Sequence, residues 1–533
     1  MTALTTTDSQ TSLSTDGPAT TMVRRWLAAR WVRFLSAMLG GVLIAVSFPD
    51  YNLAPLIFVA FVPLILAAVT ASGKLEAFFL GSAGYTVTWL INVPWVITVM
   101  SKYGGLPYPT GVALFVAMSI VLGLYGGLFT LFVHLIRPGE AIRWWFVIPF
   151  VWAAVEFGRT FLLTGFPWNL IAAAAVDLRP IVQVAPVFGP YGIGAMIVLF
   201  STLLAWIVLV SAPGGKKIVV IGGLLVFGLL WWTTGIVLID RENFRILDEK
   251  TYTAALLQPN IPETMKWDEG QTLSIFMTMT EMTDAAAKAK PKPDVIIWPE
   301  STVPVVYMTT PMLRDYVESI SRLEGIDVIL GSVAEDPRDP DKLWNSAYIV
   351  TVGTTRGRYD KIRLVPFGEY VPLRKMLFFA RKLVHAVGNF QFGSNDRPLK
   401  GKFSYGPAIC YEVVYPQITA QQVRNGADVL VTITNDGWFG ETAAPRQHLN
   451  NARLRAIEDN RYLLRAATSG ISAVVDPTGK IVQELPVGRK GTIMATFAPR
   501  HRLTAYVRFG DWFAILAAVL AVAAAVVRRR VIR

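Results

Sequence analysis

Gly406-Pro407-Ala408-Ile409-Cys410-Tyr411-Glu412-Val413-Val414-Tyr415-Pro416 holds the single cysteine of a 533-residue chain. The thiol ends a short apolar run and precedes a Pro-led helix expected from about Gln417. A cysteine at a strand end, followed by a sharp turn, stands where neighbouring loops reach it. Taken alone, such a residue reads equally well as a small buried hydrophobe. One cysteine excludes an intrachain disulfide and a cysteine-based zinc cluster, so the thiol serves packing or chemistry, and its company elsewhere decides which.

Outward from this stretch the chain divides by composition. With 53% hydrophobic and 17% charged residues and a mean hydropathy of +0.44, it is too apolar to be wholly soluble, and several near-uncharged runs reach bilayer length. Spans are expected at 34–48, 55–71, 77–100, 111–136, 144–163, 191–210, 218–239 and 512–527, eight in all. Residues 241–500 instead carry charges, prolines and short alternating runs, as a soluble domain does. The expected organisation is a disordered cytoplasmic tail over 1–30, rich in Ser and Thr, a membrane domain of seven spans over 31–240, an extracytoplasmic catalytic domain over 241–500, and a last span with a cytoplasmic C-terminus over 501–533. No cleavable signal peptide is evident, so the first span reads as an uncleaved anchor.

Arg24, Arg25, Arg30, Arg33, Lys74, Arg137, Arg143, Lys216, Lys217, Arg528, Arg529 and Arg530 fall on one side of these spans. By the positive-inside rule that side is the cytoplasm, and the soluble domain lies on the opposite face of the cell membrane. The net charge of +12 therefore reports topology, and no nucleic-acid partner is expected. Glu156 and Arg159 are three apart on one helical face inside a span, which reads as a structural pair or as the lining of a polar cavity. Trp168, in the following Thr164-Gly165-Phe166-Pro167-Trp168-Asn169 turn, reads as an interfacial anchor or as part of a lipid access path.

Within 241–500, strands are expected at 253–257, 294–298, 327–331, 347–351, 406–410, 428–433, 463–468, 473–475 and 492–497, and helices at 269–288, 312–324, 417–425 and 445–460. That alternation favours a layered α/β domain. The stretch 370–392 mixes Leu377, Phe378 and Phe379 with Arg374, Lys375, Arg381 and Lys382, which suits a lipid-contacting segment or a partly buried loop.

There are four histidines and no His-Glu-x-x-His, Gly-x-Ser-x-Gly or Walker-type motif, so histidine is not the expected base. Three stretches combine an ionisable residue with a strand end: Trp298-Pro299-Glu300-Ser301, Tyr359-Asp360-Lys361 running on to Gly368-Glu369-Tyr370, and the Cys410 stretch. Loops from neighbouring strand ends converge in a layered domain. Each residue alone reads as a solvated charge; together they make coherent chemistry. Glu300 would take the thiol proton, Cys410 would attack a carbonyl, and Lys361 would stabilise the developing oxyanion. Glu369 and Glu412 would orient the lysine or tune the pocket.

In this order Glu300, Lys361 and Cys410 resemble the Glu-Lys-Cys triad of the nitrilase superfamily, over roughly 251–499. With the spans before and after it, and with Gln258-Pro259-Asn260-Ile261 running to Trp267, Pro366-Phe367-Gly368-Glu369-Tyr370-Val371-Pro372 and Asn435-Asp436-Gly437-Trp438-Phe439-Gly440, the whole chain resembles the apolipoprotein N-acyltransferase family. The resemblance implies an α-helical polytopic membrane domain of eight transmembrane helices plus an α/β nitrilase-like α-β-β-α sandwich domain. It also implies a membrane phospholipid as acyl donor, a thioester on Cys410, a diacylglyceryl apolipoprotein as acceptor, no cofactor or metal, and a monomer. Glu369, Tyr411 and Glu412 would support the triad, and Trp267, Trp168, Asn260 and Phe378 would bind substrate. Two other functions use the same features: a membrane-anchored amidase with water as acceptor, and a transporter or receptor whose soluble domain binds peptide.

Overall fold

Strands buried on both faces are written as continuous apolar runs rather than alternating ones, and the soluble domain is built from them. The computed structural model describes residues 18–266, 269–366, 368–370 and 390–532. Its strands are β1 Tyr252–Gln258, β2 Val295–Ile297, β3 Asp327–Asp336, β4 Asp339–Thr351, β5 Thr354–Asp360, β6 Leu399–Lys400, β7 Ser404–Ile409, β8 Val429–Thr434, β9 Leu463–Ala467, β10 Ser472–Val475, β11 Ile481–Leu485 and β12 Gly491–Phe497. They form two six-stranded sheets, in the orders β12-β1-β2-β3-β4-β5 and β11-β10-β9-β8-β7-β6. The inner faces share one core that includes Leu256, Ile297, Ile329, Val431 and Leu464. On the outer face of the first sheet, Leu257, Ile296 and Val328 pack against Met279 and Val317 of helices Thr272–Ala287 and Pro311–Glu324. On the other side Leu430, Leu463 and Ala473 pack against helices Pro416–Arg424 and Ala444–Asp459, in a core continuous with that of the membrane domain. The layers run α-β-β-α.

The strands β5, β6 and β11 are absent from the sequence expectation. β5 reads Thr-Thr-Arg-Gly-Arg-Tyr-Asp and β11 is partly exposed; such edge strands carry polar residues and lack the buried apolar run that marks an interior strand. β4 reaches back to Asp339 because its first half is a twisted ribbon with β3.

The N-terminal region is helical. Tyr108–Ile136, Ala185–Leu209 and Gly214–Asp248 are each long and apolar enough to cross a membrane, and Thr20–Ala28 with Arg30–Val46 and Lys74–Asn92 with Trp95–Tyr103 form bent pairs that pass together. Ala54–Thr70, Trp512–Arg528 and Ile148–Phe161 are shorter apolar helices. Two expectations are corrected. Residues 18–28 of the supposedly disordered tail form helix Pro18–Ala28, because Leu27 is buried and Arg24 Nε donates to the Leu209 carbonyl. The domain boundary expected at 240/241 falls inside Gly214–Asp248, which at 35 residues is about 52 Å long. Asp240–Asp248 contains no helix breaker, and Glu242 and Glu249 pair with Arg500 of the α/β domain.

The basic groups gather at one end of the helical region. Arg33 pairs with Glu76, Lys217 Nζ donates to Thr20, and Arg528 donates to the Arg137 carbonyl. The α/β domain docks at the other end. There Gln447 uses its whole amide: Oε1 accepts from Trp95 Nε1 at 3.2 Å and Trp168 Nε1 at 2.8 Å, while Nε2 donates to the carbonyls of Pro49 at 2.8 Å and Asn92 at 2.9 Å.

Candidate active site

Each chemistry-bearing residue sits where a strand runs out. Cys410 follows β7 directly, and its φ of 51° is left-handed, a conformation that costs a β-carbon residue energy and that only surrounding contacts maintain. Glu300 follows β2 through Trp298 and Pro299. Its backbone lies so close to β3 that a β-carbon on Gly331 would come within 2.7 Å of the Glu300 Cα, which is why glycine stands there. Lys361 is the first residue after β5, its N–H held by the Asn345 carbonyl.

These ends meet in one buried cluster. Lys361 Nζ lies 2.9 Å from Glu369 Oε1 and 3.4 Å from Glu300 Oε1. Asn345 Nδ2 donates to Glu300 at 2.7 Å and to Glu369 at 2.9 Å, and the Asn435 N–H donates to the other Glu300 oxygen at 2.8 Å. Burial works against the charge of Lys361, yet the carboxylates of Glu369 and Glu300 hold its ammonium far above the ordinary lysine range. Burial, and then the Glu300 carboxylate, push the Cys410 thiol far up, and Lys361 only partly opposes them. The sulfur therefore rests as a thiol, and its proton must leave as it attacks. A carboxylate with fixed lone pairs beside a neutral thiol and a permanent cation is equipped for general-base nucleophilic attack on a carbonyl.

Glu412 is occupied otherwise. Its Oε2 accepts from the Ile409 N–H at 2.7 Å, and its Oε1 accepts from Tyr359 Oη and from the N–H groups of Ile362 and Arg363. This carboxylate ties the cysteine turn to the lysine strand. Tyr411 is buried and packs on Trp168, with ring centres 6.4 Å apart and planes 17° apart. Trp168 is only 1% exposed, so it is wedged in the seam between domains and is no bilayer anchor. Glu156 and Arg159 explain its place: the two are a buried pair, Arg159 donates to the carbonyls of Phe166 and Trp168, and Glu156 accepts from the Ile171 N–H. Asn260 takes a left-handed φ of 54° and gives its amide to the Gly488 carbonyl, which commits it to shaping a turn. Trp267 and Phe378 lie outside the described residues, as does most of the 370–392 stretch.

Asn345, Asn435 and Tyr359 belong to the cluster; Asn345 escaped the sequence reading, which quoted the other two within motifs without giving them a role. Asn345 had a signal: it interrupts the Trp344–Val350 part of a strand with a polar side chain that is buried. Among the described residues no group of three or more His, Cys, Asp or Glu side chains is arranged to hold a metal ion.

Residues 40–203 match the family model described as the apolipoprotein N-acyltransferase N-terminal domain, and residues 253–506 match carbon-nitrogen hydrolase. The apolipoprotein N-acyltransferase of Geobacter metallireducens is 33% identical over 512 residues, covering 93% of this chain and 96% of that protein. The enzyme of the same name from Haemophilus ducreyi is 32% identical over 511 residues, covering 92% and 95%. Among solved structures, the carbon-nitrogen hydrolase from Helicobacter pylori G27 is 15% identical with a TM-score of 0.39, covering 49% of this chain and 94% of its own. A catalytic-type α-β-β-α domain fused to an apolar helical region, with both parts matched and relatives aligned end to end, has one consequence: this chain is a membrane protein of the apolipoprotein N-acyltransferase family.

Proposed function

We propose that Cys410 attacks the acyl ester of a membrane phospholipid while Glu300 takes the thiol proton. The tetrahedral oxyanion is stabilised by the Lys361 ammonium. It collapses with cleavage of the ester C–O bond, and the departing alkoxide takes the proton from Glu300, leaving an S-acyl enzyme and a lysophospholipid. The α-amine of an S-diacylglyceryl cysteine at a lipoprotein N-terminus then attacks the thioester. Glu300 accepts the amine proton and returns it to the sulfur as the C–S bond breaks, giving the N-acylated lipoprotein. Glu369 keeps Lys361 charged and aimed, and Glu412 and Tyr411 hold the cysteine turn.

The observation that carries this proposal is the Glu300–Lys361–Cys410 cluster lying at the end of the helical region opposite its basic loops. A thioester survives where water is scarce, and both substrates are anchored in the bilayer beside it. The chain would cross the cytoplasmic membrane eight times as a monomer, with the domain from about 249 to 500 outside. Incubation of the purified protein with a labelled phospholipid and no acceptor should give a hydroxylamine-sensitive labelled band, absent from Cys410→Ala. Ammonia release from small amides without phospholipid consumption would instead identify an amidase.

A further inference from the structure

The Asn435-Asp436-Gly437-Trp438-Phe439-Gly440 stretch has so far contributed one N–H to Glu300. Its next residue belongs to a second, wholly buried charged cluster. Asp436 Oδ2 accepts from Arg465 Nη2 at 2.7 Å, and Asp436 Oδ1 lies 3.0 Å from His448 Nδ1. His448 Nε2 in turn lies 3.0 Å from the carbonyl oxygen of Cys410. His448 and Arg465 are 0% exposed and Asp436 is 1% exposed, so water replaces none of these contacts.

The proton on the ring is determined by chemistry. A carbonyl has no hydrogen to give, so Nε2 carries one and donates it to Cys410. Nδ1 faces both an acceptor, Asp436, and a donor, Arg465 Nη2 at 3.1 Å, so Nε2–H persists whether the ring is neutral or protonated. Burial and Arg465 push the imidazole pKa down, while the Asp436 carboxylate pushes it up. Thr434 Oγ1 donates to Asp436 Oδ1 at 2.9 Å, and Trp168 covers the imidazole at 5.3 Å between ring centres. The ring is clamped on all sides, and its free end grips the peptide unit that follows the left-handed Cys410.

We infer that His448, oriented by Asp436 and Arg465, is a positioning residue that latches the Cys410 carbonyl and so aims the nucleophilic sulfur at the carbonyl to be attacked. It touches no substrate and moves no proton. Asn435 and Asp436 thereby place both partners of the proton transfer: the Asn435 N–H fixes the base, and Asp436, through His448, fixes the nucleophile. The inference rests on Cys410 being the nucleophile and not on the acyl donor being a phospholipid.

The test measures single-turnover acylation of Cys410 by a small activated ester, p-nitrophenyl acetate, alongside a labelled phospholipid, in full-length protein. His448→Gln keeps an amide N–H near the place of Nε2, His448→Asn keeps polar atoms only near Nδ1, and His448→Phe keeps volume alone. Loss of aim by a fraction of an ångström should slow acylation about 100-fold in His448→Asn and His448→Phe, with half-saturation unchanged and with both esters affected alike. His448→Gln should recover most of the rate. Equal rates in His448→Gln and His448→Asn, either both near wild type or both lost, would overturn the inference, even if His448→Phe fails to fold. Wild-type acylation by p-nitrophenyl acetate but never by phospholipid would overturn the proposed donor and leave the latch standing.

Discussion

In the proposed reaction Lys361 has two separable duties, and one pair of variants distinguishes them. Its ammonium lies between Glu369 and Glu300, whose side chains are 12% and 8% exposed against 1% for the lysine. Lys361→Met removes the oxyanion donor, which should slow thioester formation about 100- to 1000-fold, equivalent to about 2.7–4 kcal/mol of transition-state stabilisation. It also strands two buried carboxylates against each other, and breaking a buried pair in this way costs about 3–5 kcal/mol of stability. Adding Glu369→Gln neutralises one of them, and its single amide oxygen keeps an acceptor for the Val365 N–H. The double variant should thus regain much of the lost thermal midpoint in detergent and none of the lost acylation rate. The assay is burst-phase labelling by a fluorescent phospholipid, paired with thermal unfolding of the same samples. If acylation returns together with stability, Lys361 is a structural counter-ion, and the oxyanion role is refuted.

Other consequences are measurable. Because the Glu300 carboxylate helps to raise the Cys410 thiol, Glu300→Gln should move the alkaline midpoint of iodoacetamide labelling to lower pH while abolishing acyl transfer; the lone cysteine makes the mass shift unambiguous, and an unchanged or higher midpoint would contradict the electrostatics. In a Cys410→Ala background, Lys480→Cys should react with a membrane-impermeant maleimide in intact spheroplasts and Lys216→Cys only after lysis, since both are exposed and Lys480 lies in the α/β domain docked at one end of the helical region, with Lys216 among the basic groups at the other; the reverse pattern would invert the proposed topology. Gln447→Leu leaves two indole N–H groups and two carbonyls unpaired at the seam between domains, and should lower stability by about 2–4 kcal/mol as read by denaturant unfolding in micelles; a change below about 0.5 kcal/mol would show that water or rearrangement replaces those bonds.

Much was legible without coordinates because it is written in local pattern. Continuous apolar runs mark the interior strands, long uncharged runs mark the helical region, and carboxylate, lysine and cysteine each stand beside turn-forming neighbours at a strand end. What escaped the pattern is equally physical. The edge strand β5 is too polar to resemble its buried neighbours, and the helix Gly214–Asp248 continues into charged sequence because nothing in Asp240–Asp248 breaks it. Glu156 and Arg159 were legible as a costly pair, but their purpose, holding the Trp168 loop, requires knowing that the Phe166 and Trp168 carbonyls come within reach.

Sequence by itself therefore determined the two-part architecture and the chemical type of the residues proposed as nucleophile and helpers, since each follows from residue kind and short-range periodicity. Only the tertiary structure decided which carboxylate serves which partner. Glu300 and Glu369 flank Lys361, whereas Glu412, two residues from the cysteine, spends its oxygens on backbone N–H groups and on Tyr359. Hydrogen-bond allegiance is set by distances of a few ångströms between segments tens to hundreds of residues apart, and no local pattern encodes it. The same holds for His448, whose ring meets the Cys410 carbonyl across 38 residues of chain only because a helix and a strand end are packed together.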